Sequence, residues 1–527
     1  MDQAEVIACL EAPTSHGGVA VQRIDTHASV VFLAGPRAWK LKRAVRYDYL
    51  DFSTVERRRA ACEAEVRLNR RTAPALYHGV VAVTRELDGR LRLGGGGVPV
   101  DWVIEMGRFD QEALLDRQAA RGALAFDLME PLAAAIARFH RDAEVRHDHG
   151  GAAAMTWVVE GNRAGFAEHG AGVLPPDRCA ALTDASLAAI DRLRARIEAR
   201  RDGGFVRHCH GDLHLRNIVV LDGAPTLFDA VEFNDELACI DVWYDLAFLL
   251  MDLWQHRLPL HAHAVFNDYL AATGDAAGLA LLPLYLSCRA AVRAKVAATA
   301  ARLQADGAAR AAQEALARDY LAMAARLLGP PAAALLAVGG LSGSGKSTLA
   351  RALAPRVGPV PGACLVRNDV VRKALAGVSP LTRLGPEHYT AEVSARVYST
   401  VAERAALALR AGHTVVVDGV FARASDREAI ARVAADCGVP FAGIWLDAPA
   451  ETLLARARAR QRDASDADEA VVRAQLSQAI GSQAWHRVDA SGTPESALRE
   501  ALALLARVRP ESLREDDGDT SRALKVD

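Results

Sequence analysis

The chain has 527 residues, 51% hydrophobic and 24% charged, which is too long for one ordinary core and too apolar for global disorder, so two domains are expected. Lys plus Arg (63) nearly balance Asp plus Glu (65), giving a formal charge of -2 and excluding an overall basic field toward nucleic acid or anionic membrane. The 8 cysteines form no CxxC pair, no apolar run reaches the roughly 18 residues of a membrane span, and the start is acidic, so a reduced, cytoplasmic protein is expected.

Residues 18–33 and 38–41 alternate apolar and polar positions around the turn AGPR, a hairpin signature. The stretch FSTVERRRAACEAEVRLNRR predicts a helix, with Ser53 or Thr54 as its cap and Glu56 close behind. HGVVAVTREL and VPVDWVIEM then flank a GGGG turn. Up to about residue 108 the pattern is a small mixed sheet with one helix.

From 111 to 328 the pattern is helical and rich in Ala and Leu, interrupted at 205–233 by the short apolar runs FVRHC, NIVVL and PTLFD. Inside this break lies HCHGDLHLRN, residues 208–217. His208, Cys209 and His210 hint at a metal cluster, but adjacent residues of an extended segment point to opposite faces and no second ligand pair follows. Asp212 and Asn217 fit better: an Asp that accepts a hydroxyl proton, and an Asn five residues on that binds Mg²⁺. PTLFDAVEF adds Asp229 after an apolar strand, where a second metal-binding acid belongs, and IDVWYDLAFLL opens an apolar helix.

The Gly-Pro-Pro of RLLGPPAAALLAVGG ends a helix and starts a new unit. The expected division is a domain over 1–328, a linker at 329–334, a domain over 335–508 and a loose charged tail at 509–527. In the second domain strands alternate with helices, an α/β pattern with a parallel sheet. GLSGSGKS satisfies G-x-x-x-x-G-K-[ST] between an apolar strand and a helix. Gly340, Ser342, Gly343, Ser344, Gly345, Lys346, Ser347 and Thr348 would cradle the phosphates of ATP, with Lys346 on the β/γ-phosphates and Ser347 on Mg²⁺.

HTVVVDGVF ends a buried strand in Asp418, a second metal-associated carboxylate. In LVRNDVVRKALAG, Asp369 and Arg372 share one helical face, the acid to accept a hydroxyl proton and the Arg to steady substrate or phosphate. ETLLARARARQRDASDAD carries Arg456, Arg458, Arg460 and Arg462. Either Arg456 with Arg460 or Arg458 with Arg462 forms the face of a lid, and the first pair is taken as the candidate.

HGDLHLRN, FDAVEF and DVWYDLAF resemble the aminoglycoside phosphotransferase family, whose fold is similar to that of protein kinases, over about 20–325. The resemblance implies a bilobal α+β first domain, its small lobe reaching about 108, with Asp212 as catalytic base, Asn217 and Asp229 holding magnesium, His210 shaping the loop and Asp241 or Asp245 supporting it. It also requires a strand lysine and a helix glutamate. Lys40 and Lys42 share one strand face and Glu63 and Glu65 lie on the next helix, with Lys40 and Glu63 favoured; VIEMGRF (103–109) is the hinge whose backbone would meet adenine. No G-x-G-x-x-G is present, and only SHGG and the DTHAS turn are available to cover phosphates.

The second domain resembles the P-loop small-molecule kinases of the zeta-toxin, gluconate-kinase and polynucleotide-kinase-like group, through GLSGSGKS, NDVVRK, VVVDGVF and DASDAD. Together the resemblances imply a bifunctional Mg-ATP-dependent kinase acting on hydroxyl groups of small molecules. Two alternatives stand beside it. The second half is a nucleic-acid 5′-hydroxyl kinase, which the neutral charge and the lack of an aromatic-basic surface disfavour, or one half binds nucleotide to regulate the other.

Overall fold

The computed structural model describes residues 3–47, 50–459, 464–477 and 484–508; the predicted tail at 509–527 lies outside them. The chain packs into two compact units. One contains the described residues up to Ala272 together with Cys288–Leu321, and the other contains Thr273–Ser287 together with the described residues from Ala322 on. The helix before Gly-Pro-Pro ends at Leu328, while the grouping of 273–287 with the second unit has no counterpart in the sequence punctuation.

In the first unit, β1 (Val21–Asp25), β2 (Ser29–Ala34), β3 (Arg37–Lys42), β4 (Tyr77–Arg85), β5 (Leu91–Leu93) and β6 (Val98–Gly107) form one antiparallel sheet in the order β1-β2-β3-β6-β4-β5. The run 18–33 is therefore two strands, split by a tight turn in which Thr26 N–H donates to Ser29 O and Ser29 N–H to Thr26 Oγ1. Helix α1 (Val55–Asn69) is capped by Thr54, whose hydroxyl accepts from Arg57 N–H at 3.3 Å. Ser53 instead donates to Asp51.

The rest of this unit is helical, including α2 (Met129–Asp142), α3 (Val242–Gln255) and most of α4 (Leu282–Leu303) and α5 (Gly307–Leu328), whose stretches 282–287 and 322–328 group with the other unit. Every residue of α3 from Val242 to Leu253 is buried, as an all-round apolar helix must be. Two short antiparallel pairs interrupt the helices: β7 (Val206–His208) with β10 (Cys239–Asp241), and β8 (Ile218–Leu221) with β9 (Ala224–Leu227). A twisted antiparallel lobe followed by a helical lobe carrying these ribbons is a protein-kinase-like fold.

The second unit is built on a parallel sheet of β11 (Leu335–Gly340), β12 (Cys364–Arg367), β13 (Val415–Asp418), β14 (Phe441–Asp447) and β15 (His486–Asp489), ordered β12-β13-β11-β14-β15. All of β11 is buried, matching its unbroken apolar run. Around it lie α6 (Lys346–Leu353), α7 (Asn368–Leu375), α8 (Ala391–Arg410), α9 (Ala450–Ala459), α10 (Glu469–Leu476) and α11 (Pro494–Val508). In such sheets ligands bind beyond the carboxyl ends of the strands, where the order reverses. Arg367, Asp418 and the loop after Gly340 all sit at that end. No described helix is long and apolar enough to cross a membrane.

Candidate active sites

In the first unit the period-two geometry of β3 puts Lys40 and Lys42 on one face, and both meet α1 at Glu65. Lys40 Nζ lies 2.8 Å from Glu65 Oε1 and 2.5 Å from Asp229 Oδ1. Lys42 pairs with the other Glu65 oxygen and with Glu232. The expected partner Glu63 is a correction: Cys62, Glu65, Val66 and Asn69 form the buried stripe of α1, so Glu63 faces outward and pairs with Arg59 at 2.9 Å. Burial alone would drive the Lys40 pKa down, but Asp229 and Glu65 hold it well above its ordinary value. The ammonium is therefore fixed as a cation.

Asp229 stands at the end of the second ribbon with φ of 63°, a conformation that costs a non-glycine residue about 1–3 kcal/mol and persists only when its surroundings impose it. Here they do. Its N–H donates to Tyr77 Oη at 3.2 Å, and the next N–H, of Ala230, donates to Asn69 Oδ1 at 2.8 Å. Burial raises its carboxyl, and Lys40 and Lys42 more than reverse this, so it is held below the usual range.

The 208–217 loop brings Asp212 and Asn217 together: Asn217 Nδ2 donates to Asp212 Oδ2 and to Asp212 O, both at 2.9 Å, while His214 Nε2 lies 3.3 Å from Oδ2. Burial works against the Asp212 carboxylate, yet His214, His210 and Arg289 hold it in the ionised form. The loop is braced from α3. Asp245 accepts His210 N–H (3.1 Å), Gly211 N–H (2.9 Å) and His140 Nε2 (3.0 Å), and Asp252 accepts Leu215 N–H (3.0 Å). Asp241 instead pairs with Arg200 at 2.6 Å and caps α3 through Trp243 N–H. His210 Nε2 meets Phe228 O at 2.9 Å, and the Cys209 thiol donates to Ile240 O. These side chains stitch the loop in place.

The side chains of Asp212 and Asp229 each keep 41% of their exposure, so two ionised carboxylates face open space beside a lysine. Such hard oxygen donors suit Mg²⁺. The sequence offered Glu65 as the alternative to the favoured Glu63, and sequence reasoning missed Glu232 and the brace His140 as partners. Glu232 was visible three residues past Asp229 in FDAVEF; His140 had no local signal.

In the second unit the phosphate loop curls between β11 and α6. Gly343 has φ of 86°, and a Cβ there would lie 2.4 Å from Leu453 O. Gly343→Ala is therefore expected to weaken nucleotide binding by this unit by at least about tenfold, read by titrating the full chain with a fluorescent ATP analogue. Lys346 Nζ donates to Leu341 O at 3.0 Å, folded across the loop it would serve. Ser342 N–H donates to Gln475 Oε1 of α10 at 2.8 Å. Gly340, Ser344, Gly345 and Thr348 complete the turn, with Ser344 buried and Thr348 exposed on α6.

Ser347 Oγ donates to Asp418 Oδ2 at 2.6 Å, and Arg367 Nε to the same oxygen at 3.2 Å. The hydroxyl and carboxylate at the mouth of the loop again suit a hard cation. Asp369, at the start of α7, is pushed above its ordinary value by burial and by Asp418, with Lys346 and Arg367 pulling the other way. Arg372 is on the same helix, with its guanidinium 4.8 Å from the Tyr389 ring centroid and Nη1 donating to His388 O at 2.7 Å. Asp466 of the DASDAD stretch binds Lys373 Nζ at 2.5 Å, Tyr389 Oη and Leu384 N–H.

Arg456 is a correction. Its guanidinium donates to Ala490 O at 2.7 Å and Gly492 O at 2.9 Å, clasping the end of β15. It faces the strand end because Leu453 and Ala457 on either side are the buried positions of α9, so it is not a lid residue. Arg458 pairs with Glu469 of α10, which Arg473 also holds. Arg460 and Arg462 lie outside the described residues.

Residues 335–480 match the family model described as an AAA domain. An ethanolamine kinase of Plasmodium vivax overlaps 62% of this chain and 89% of its own, at 10% identity and a TM-score of 0.39. A gluconokinase of Sinorhizobium meliloti overlaps 34% of this chain and 94% of its own, at 24% identity and a TM-score of 0.26. An uncharacterised protein of Mycobacterium tuberculosis is 31% identical over 490 residues, spanning 90% of this chain and 94% of its own length. Through that near full-length match, the chain belongs to the family of the mycobacterial protein.

Proposed function

We propose that this chain is a bifunctional phosphotransferase with one site in each unit, each moving the γ-phosphoryl group of ATP to a hydroxyl of a small molecule. The observation that carries the reading is a repeated arrangement: each unit sets a lysine and a metal-type carboxylate beside a second acid on the acceptor side. In the first unit these are Lys40, Asp229 and Asp212, the lysine brought from a distant part of the chain to the two acids of the 205–233 segment. In the second they are Lys346, Asp418 and Asp369. The residues of each site fall within a single unit.

Asp212 and Asp369 orient the acceptor hydroxyl and take its proton, while Lys40 and Lys346 hold phosphate oxygens. When bound at Asn217 and Asp229, or at Ser347 and Asp418, Mg²⁺ supplies neutralising charge to the phosphates. Arg372 steadies the acceptor of the second site, and the backbone of 103–109 receives adenine in the first.

The test is transfer of labelled γ-phosphate from ATP to components of a bacterial metabolite extract by wild type, Asp212→Ala and Lys346→Ala. Two labelled products are expected, each lost in one variant. A single product lost only with Lys346→Ala recasts the first unit as a regulator. No product from any form, with ATP binding intact, overturns the reading. Label appearing on oligonucleotide 5′ ends, with steep salt dependence, makes the second unit a nucleic-acid kinase instead.

A further inference from the structure

Two arginines stand behind the first site with no carboxylate at ion-pair distance, Asp212 acting on both and Asp252 on Arg293 only through space. Arg289 of α4 is 5% exposed. Its Nη1 donates to Gly211 O, the residue before Asp212, at 3.3 Å, and its Nε donates to Tyr244 O at 3.1 Å. Its guanidinium lies 3.9 Å and 4.6 Å from the ring centroids of Tyr244 and Phe248, and its buried Nη2 has no hydrogen-bond partner. Arg293 is one helical turn further along the same face. It is partly exposed, its guanidinium is 5.6 Å from the Tyr320 ring centroid and hydrogen-bonds the Tyr320 side chain, and its Nε is buried and unpartnered. Among the described residues no carboxylate forms an ion pair with either arginine.

The acids of this region are already engaged. Asp212 is held by Asn217 and His214, Asp229 by Lys40, Asp245 by His140 and two backbone N–H groups, and Asp252 by Leu215 N–H. Of these only Asp212 and Asp229 face open space, and the proposed reaction assigns them to the proton and to Mg²⁺, so an ammonium-bearing acceptor would find no spare carboxylate among them. An anion would find the partly exposed Arg293 in a low-dielectric wall, where a charge-assisted contact is strongest.

Resting on the reading of the first unit as a phosphotransferase, we infer that its acceptor is an anionic alcohol, bearing a carboxylate or phosphate that Arg293 binds, with Arg289 adding positive field from behind. The hydroxyl oxygen of that acceptor attacks the γ-phosphorus of ATP. The new O–P bond forms as the bond to the bridging β,γ-oxygen breaks, ADP leaves with the electron pair, and the hydroxyl proton passes to Asp212.

The test uses the full chain carrying Lys346→Ala, which silences the second site. A bacterial metabolite extract is split by ion exchange into anionic, neutral and cationic pools, and each is incubated with labelled ATP with and without Asp212→Ala. Asp212-dependent product is expected from the anionic pool, and alkaline phosphatase pretreatment of that pool separates phosphate-bearing from carboxylate-bearing acceptors. With the active pool, Arg293→Ala should raise acceptor KM about tenfold to a hundredfold, leave the KM for ATP unchanged, and be partly rescued by Arg293→Lys. Asp212-dependent product from the cationic or neutral pool, or an unchanged acceptor KM in Arg293→Ala, overturns the inference while leaving the kinase reading intact. Absence of Asp212-dependent product in every pool removes the kinase reading, and this inference with it.

Discussion

Replacing Asp212 by asparagine is expected to lower transfer at the first site by about 10²- to 10⁴-fold, the contribution typical of a positioned general base. The replacement is close to isosteric and can still meet Asn217 and His214, so the loop braced by Asp245 keeps its shape. What it removes is the anionic oxygen that receives the hydroxyl proton. The loss should fall on kcat, with the affinity for ATP within about twofold of wild type because Lys40 and Asp229 are untouched. Initial rates with saturating ATP, in the Lys346→Ala background, measure this directly. A drop of less than about tenfold would remove Asp212 from the role of base.

Replacing Glu65 by alanine is expected to destabilise the first unit by about 3–5 kcal/mol, because it strips a shared partner from the buried Lys42 and the largely covered Lys40. Lys40 would keep Asp229 and Lys42 would keep Glu232, which places the effect toward the lower end. The melting transition of this unit should fall by roughly 5–15 °C in calorimetry. Glu63→Ala is the control. Its pair with Arg59 is about half exposed on both sides, worth no more than about 1 kcal/mol. Equal shifts for the two variants would contradict the role of Glu65 as the pivot of the lysine pair.

The parts of the molecule that could be read from sequence are those specified by local chemistry. GLSGSGKS required its strand, turn and helix to be consecutive, and the structure has them so. Asp212 and Asn217 lie five apart on one loop, so their meeting follows from spacing. The choice between Glu63 and Glu65 depends on the helix phase against the sheet, which Cys62, Val66 and Asn69 decide by being buried. That phase was weakly marked because α1 is rich in charged residues throughout. Arg456 misled because a row of alternate arginines looks alike on every face, and only packing against β15 separates a clasp from a lid. Arg289 and Arg293 were silent because an Ala-rich helix discloses nothing about what lies opposite it.

The hydrogen bond from Ser342 N–H to Gln475 gives the nucleotide's arrival at the second unit the character of an exchange. A phosphate oxygen that takes this donor must first displace an amide oxygen already there, so the net gain is the difference between two bonds. Helix α10 then gives up its tie to the loop; it carries Glu469 and Arg473, and Glu469 reaches across to Arg458 of α9. Occupancy of the phosphate loop would thus cost α10 one of its ties while the Arg458–Glu469 pair still holds it to α9, so part of the binding energy goes into the exchange.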